Sequence, residues 1–522
     1  MTALSTGEPR QDARAEIGDP MPAPMLARLE AGRDQPVRPV EPLSKTMVVL
    51  AAVLLGAVGF GSGLLFGIGD PFLDRETVMI VAGVVGLIVA VATATRFWFV
   101  VVAMFVLRAS LDALKLENNR AKGVVVDPTA ATNAFDPGVI IALVMLASGV
   151  GWLITQKRSG RLHPMSGPTK WFLGLAGAGS LSALGSGALA ASFGVSLKIW
   201  AGAIMMAVLE QAYRQKPARI KAILGAGAAS LIIPAFVGIQ QLLGPQKLAD
   251  YLQVSRIRGT FVHPNPFATY LVIVAVVALA VRPHLRRGRR LAADAVFALA
   301  SGLTLFTYAR GAWVALLLGI FVVGACQDKR LIVIMIGAVL AALLLVPSVS
   351  ARLSDLGNTE QIVNGNPNSL AWRISYWQRL MPLAAENPVT GIGLDRVLVR
   401  TPEKLMPHNT VVQALVETGV VGLGALLGLV CSTAIALRDV IRRTPPGLAR
   451  GVAVGAAAAG LGWVTQLGSE NLLTQAAIFW YLAGPTAFAM ALRAERFDVQ
   501  GQAAGPPEAP TLAPAPTLAP AA

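Results

Sequence analysis

Charge is scarce in this 522-residue chain: only 14% of residues are Asp, Glu, Lys or Arg, against 54% hydrophobic. With a mean hydropathy of +0.61, that scarcity excludes a soluble globule, because apolar runs of roughly 18 to 25 residues recur along nearly the whole length. The runs are long, continuous and rich in Ala, Leu, Val and Gly, which excludes the short alternating strands of an outer-membrane barrel. Cysteine is nearly absent. Cys326 and Cys431 are the only two, each inside or at the edge of an apolar helix, so neither a disulfide framework nor a metal cluster is indicated. There is no GxxxxGKS or GxxxxGKT phosphate loop, no HExxH and no Cys/His zinc spacing. ATP-driven work and metal-assisted hydrolysis therefore lack support, and any reaction draws its energy from an activated substrate. Acidic residues are outnumbered 29 to 44, giving a formal charge of +15. The basic residues sit in short clusters between apolar runs, where they set membrane orientation rather than bind nucleic acid.

What is present reads as an all-α polytopic bundle of about twelve to fourteen spans. They are expected near 46–68, 77–94, 96–111, 137–155, 171–192, 195–213, 220–243, 264–282, 292–307, 310–326, 330–347, 409–436, 449–469 and 474–493. Residues 1–45 mix Pro and charge without apolar periodicity, which reads as a disordered cytoplasmic tail and not as a cleaved signal peptide. Residues 494–522 form a second cytoplasmic tail, rich in Pro and Ala. Between them lie spans over 46–347, a long outer loop over 348–408, and spans again over 409–493. With a cytoplasmic N-terminus, the basic loops QKRSGRLHP, YRQKPARIK, RPHLRRGRR, QDKR and RDVIRRTPP all fall on the cytoplasmic side, as the positive-inside rule asks. Both termini are then cytoplasmic. The outer side receives 112–136, 244–263, the turn at 308–311, the loop 348–408 and the turn at Glu470 and Asn471.

Four clusters on that outer side are candidates for chemistry. In SRIRGTFVHPNPFATYL, Arg256, Arg258, His263 and Asn265 gather before a span, a good receptor for phosphate; the alternative is headgroup anchoring by snorkelling. In TYARGAWVAL, Arg310 is held in a turn between two apolar segments, where a cation is costly unless it meets an anion or a carboxylate such as Glu417 or Glu470. In RISYWQRLMPLAAENPVTGIGL, Arg373, Tyr376, Trp377 and Leu380 share one face of an amphipathic helix, and Asn387, Pro388, Gly391 and Gly393 then force tight turns; the alternative is a lid that only covers the site. In MPHNTVVQALVETGVVGLGALLG, Asn409, Gln413 and Glu417, four apart, make a polar stripe that must face protein or a cavity. His408 stands at that helix's start, where the dipole favours the neutral imidazole a general base requires; a lone histidine is more often structural. Gly424 and Gly428 read as close helix packing.

In this order the clusters resemble the O-antigen ligase and polymerase superfamily of bacterial envelope glycosyltransferases. The matching pieces are RIRGTFVHPN, TYARGAW, RISYWQRLMPLAAENPVTGIG and HNTVVQALVETG, over roughly residues 250–430. The resemblance implies a GT-C-like helical fold in the bacterial inner membrane, without cofactor. Its implied activity moves a glycan from a polyprenyl (undecaprenyl) diphosphate carrier to a glycan, lipid or protein acceptor on the outer side. It also implies that Arg256 or Arg258, Arg310 and Arg373 bind the diphosphate and that His408 activates the acceptor hydroxyl without a metal ion. The family usually places its Arg three before the Gly, at Arg256, yet Arg258 is adjacent; Ala309 stands where many relatives have Ser. Ligase and polymerase are not separated by these motifs. An activated anomeric carbon attacked opposite its diphosphate gives a single inverting displacement. The rival readings are a flippase for a lipid-linked glycan and an inactive assembly scaffold.

Overall fold

The computed structural model describes residues 93, 95–112, 137–244, 248–249, 255–345, 362–363, 366–367 and 370–503. Helices account for nearly all of them. In chain order they are α1 (Thr95–Leu107), α2 (Pro137–Arg158), α3 (Gly167–Leu184), α4 (Leu189–Gln215), α5 (Arg219–Ala229), α6 (Ile232–Leu243), α7 (Pro264–Val281), α8 (Arg287–Phe306), α9 (Arg310–Cys326), α10 (Arg330–Leu345), α11 (Leu370–Glu386), α12 (Val397–Arg400), α13 (Thr410–Arg443), α14 (Leu448–Leu467) and α15 (Ala476–Ala503). The β pairing among the described residues is two antiparallel ladders of two residues each, Leu248–Ala249 with Ser255–Arg256 and Ile362–Val363 with Asn366–Pro367. Among the described residues, five helical stretches are by length and composition able to cross a membrane: Leu189–Gln215, Arg219–Leu243, Pro264–His284, Thr410–Arg443 and Leu448–Leu467. The spans expected at 46–68 and at most of 77–94, and both tails but for the first residues of the second, lie outside the described residues.

Two boundaries differ from the sequence reading. The break expected at 193–194 falls instead at 185–188, where Gly187 takes a φ of +68° and lets the chain reverse between α3 and α4. The final helix runs past 493 to Ala503.

The centre of the bundle is α7, buried along nearly its whole length from Phe267 to Val281 and packed against α8, α9, α14 and α15. Small residues set the spacing. A Cβ on Gly455 would come within 3.2 Å of Val277 Cα, and one on Gly319 within 2.6 Å of Val276 Cγ1, so α14 and α9 approach α7 as closely as glycine allows. Gly428 packs likewise against Trp171, but Gly424 faces open space, which corrects the pairing of those two glycines.

The long loop enters this bundle through a break in α13. Gly419 has a φ of +64° and a ψ of −168°, far from helical. The segment 388–393 lies across the gap. Val420 N donates to Pro388 O (2.9 Å), Val421 N to Val389 O (3.3 Å), Ile392 N to Val416 O (3.1 Å) and Gly393 N to Glu417 O (3.1 Å). Main-chain groups freed by the break thus find partners in the loop, the condition for irregular backbone inside a membrane bundle. Gly391 and Gly419 are both at positive φ, and a Cβ on either would press on main-chain atoms of the other segment at 2.2–2.4 Å. Gly419→Ala is expected to lose about 1–3 kcal/mol to backbone strain, with further loss from displacing Val389, and to lower the thermal unfolding midpoint in detergent. Gly424→Ala should leave that midpoint unchanged or raise it.

Candidate functional site

Glu470 and Asn471 sit in the turn between α14 and α15, and residues from all four sequence clusters meet there. Arg256 donates from Nε to Thr307 O (2.8 Å) and from Nη2 to Asn265 Oδ1 (2.6 Å). Asn265 passes the contact on, its Nδ2 donating to Glu470 Oε1 at 2.6 Å. Arg310 opens α9, and the next residue, Gly311, lies so close to the turn that a Cβ there would be 2.8 Å from Ser469 Oγ. On the other side, Arg373 of α11 reaches the same residue, Nη1 lying 3.4 Å from Ser469 O. His408 follows, with Nδ1 3.4 Å from Nδ2 of Asn471. Thr410 ties the start of α13 to the turn: its Oγ1 donates to Glu470 O (2.6 Å) and accepts from Leu472 N (2.9 Å).

The supporting residues divide into two groups. Asn265 belongs to the cluster itself, while His263 is exposed and caps α7, its Nδ1 accepting from Asn265 N (3.2 Å). Arg258 turns toward Val262 O, so Arg256 is the arginine of that motif nearest Glu470. Tyr376 and Trp377 hold the segment that delivers His408: the Tyr376 hydroxyl donates to Leu405 O (2.6 Å) and Trp377 Nε1 to Pro407 O (2.7 Å). Asn409 caps α13 by accepting from Val411 N and Val412 N. Gln413 and Glu417, the rest of the stripe, point instead at the inserted loop, Gln413 Nε2 donating to Glu417 Oε2 (2.9 Å) and Val397 N to Glu417 Oε1 (3.3 Å). They brace the loop; Glu470, not Glu417, is the carboxylate beside the arginines.

Among the described residues, the non-glycine positions at positive φ are Tyr308, Asp395, Lys404 and His408. All four lie in this turn-and-loop region, and two of them flank the cluster directly. Such backbone persists only where the surroundings over-determine it. No three His, Cys, Asp or Glu side chains come together as a metal ion would need among the described residues.

Electrostatics follow from burial. Removal from water pulls the His408 imidazole down to about 4, and the Arg373 cation beside it adds to the shift, so His408 is neutral at pH 7. Burial also lowers Arg373, with Glu470 opposing. Burial raises the Glu470 carboxyl to about 7, while Asn265, Arg373 and Arg256 pull the other way. Glu470 was visible in the sequence as an acidic residue in a short turn on the same side as the other clusters, yet it was read only as a possible counter-ion. Because its folded-state value lies above the unfolded one, its contribution to stability is full below about pH 4.5 and is lost as pH rises through about 7. Infrared titration is expected to show a protonated carboxyl band with a midpoint near pH 7 that is missing in Glu470→Gln. A band titrating at the ordinary carboxylate pH would contradict this environment.

Against known families, residues 295–427 match the family model described as O-Antigen ligase. The match takes in Arg310, Arg373, the inserted loop and His408, and begins after Arg256 and Asn265. No curated protein matches the chain. Residues 295–427 thus carry a domain similar to that family, about a quarter of the chain, and the apolar helices make the chain a multi-pass membrane protein.

Proposed function

We propose that the protein transfers a glycan from a polyprenyl diphosphate carrier to an acceptor hydroxyl, by an inverting displacement that uses no metal ion, at the outer face of the bacterial inner membrane. The observation that carries this reading is the convergence of Arg256, through Asn265, Arg373 and His408 on the turn at Ser469–Asn471, with Arg310 opening the helix whose Gly311 packs on Ser469. Cations gathered beside a neutral imidazole are the groups such a transfer needs: donors for the leaving diphosphate and an acceptor for one proton.

In the free protein Glu470 balances Arg256 and Arg373. An incoming diphosphate competes for the same guanidinium groups and carries more charge, so Glu470 takes up a proton as the donor seats. The diphosphate also offsets the charge of Arg373, the cation that depresses His408. The imidazole then becomes a stronger base once the donor is bound. Asn471 sets its orientation: with Nδ1–H donating to the Asn471 amide oxygen, Nε2 faces the acceptor hydroxyl, an arrangement that requires the amide to be turned about so that its oxygen meets the ring. Bond formation from the hydroxyl oxygen to the anomeric carbon expels the diphosphate oxygen opposite it, and the proton passes to His408.

A purified reaction with polyprenyl diphosphate-linked glycan and candidate acceptors, run in EDTA, tests the scheme. Product should persist in EDTA, and its form, a lengthened chain or a glycan moved to a new carrier, separates polymerase from ligase. His408→Ala should lower kcat about a hundredfold to ten-thousandfold; retained activity with normal expression would sink the assignment. Arg256→Ala is expected to raise the donor KM more than Arg258→Ala, and the reverse order would move the diphosphate to Arg258.

A further inference from the structure

At the other end of the same helices lies a cavity of about 940 Å³, within the ~300–1,000 Å³ range of small-molecule sites. It is remote from the glycan site. α7 carries Asn265 at its start and lines the cavity with Ile273 to Val281 toward its end; α8 lines it near Arg289 and reaches the site at Thr307; α14 lines it at Leu448 and reaches the site past Gln466. Along α7 the lining lies roughly 12 Å (Ile273) to 24 Å (Val281) from Asn265.

The lining has two parts. Its depth is apolar, made by α7, α5 and the aromatic rings of Phe105 and Tyr481, while its mouth carries Lys221, His284, Arg286 and Arg289. His284 packs on α14 at Gly451, where a Cβ would lie 2.6 Å from its Cδ2. Among the described residues, no Asp or Glu lines the cavity. An apolar slot with a cationic mouth complements an amphiphilic anion, and a slot opening at the membrane boundary is supplied with one by the bilayer. The chain's own apolar runs at 46–68 and 77–94 contain no acidic residue, so neither would neutralise that mouth. We infer that this cavity binds an anionic phospholipid, with an acyl chain against α7 and the phosphate between Lys221, Arg286 and Arg289.

The full chain, purified in neutral detergent, would be incubated with equal amounts of phosphatidylglycerol and phosphatidylcholine, and the lipid retained after washing measured by native mass spectrometry. Preferential retention of phosphatidylglycerol is expected. Arg286→Glu with Arg289→Glu should weaken it about tenfold or more, whereas Lys157→Glu with Arg158→Glu, basic residues exposed at the end of α2, should not. Gly225→Phe provides a second arm: this glycine lines the cavity and a Cβ on it meets nothing within 4 Å, so the ring fills the slot and should expel the lipid from a folded protein. Equal losses in the two charge-reversal pairs would reduce the effect to general surface attraction. Unchanged retention in Gly225→Phe, or no lipid preference in the unaltered protein, would overturn the site.

Discussion

Four main-chain hydrogen bonds across the break at Gly419 hold the molecule's longest loop to its helical bundle. Without a docked segment 388–393, the freed carbonyl and amide groups of α13 would face an apolar medium without partners, each costing about 1–3 kcal/mol, and the helix that carries Arg373 would lose its downstream tether to the bundle. The two glycines explain why the bonds form there. Gly391 lies against the main chain of Glu417 and Thr418, and Gly419 against that of Val389 and Thr390, with no room for a side chain on either. Burial of Gln413 and Glu417 beside them closes the joint from the helix side, Glu417 accepting from Val397 N as well as from Gln413. The polar stripe on α13 is thus a brace, and the placement of the loop is its consequence.

The second constraint is charge. Several guanidinium groups at the end of a bundle repel one another and lose hydration, so the free protein needs an anion among them. Glu470 supplies it, bridged to Arg256 through Asn265 and set beside Arg373. The arrangement is neutral enough to fold and still leaves the arginines able to exchange partners. A carboxylate whose affinity for a proton lies near neutrality is well suited to be displaced, because protonation removes its claim on the cations without any movement of the backbone.

Much of this was legible in the residues. Apolar runs gave the helices of α2, α5 to α7, α9 and α14 to within a few positions, because length in a hydrocarbon medium leaves the backbone little choice. The polar clusters stood out since charge between apolar runs is rare and expensive. What sequence spacing could not give was the partner of each cluster. Asn409, Gln413 and Glu417 lie on one helical face, and that periodicity is real, but Gln413 and Glu417 meet the docked loop, Glu417 accepting from Val397 N, and not the arginines. Glu470 stands in the sequence only as a possible counter-ion of Arg310, because it has no motif around it and its partner Asn265 lies 205 positions away. The α3–α4 boundary was misplaced because hydropathy runs smoothly through Gly185–Gly187, where backbone freedom rather than polarity ends the helix.

The distribution of charge along the central helices also bears on whether such a protein transfers a glycan or carries one across. In α7 no charged side chain lies between Asn265 and Arg282, in α9 none between Arg310 and Asp328, and in α14 none between Arg450 and Glu470. A path for a diphosphate from one leaflet to the other requires compensating charge or water along its middle, since a bare anion at the centre of a bilayer is among the most expensive species there. These three helices instead hold their charge at the two ends, with Val, Ala, Leu and Gly packed tightly between. Along these three helices no charge would carry a diphosphate from the Glu470 end to the other, which weighs for the proposed transfer at one face and against transport.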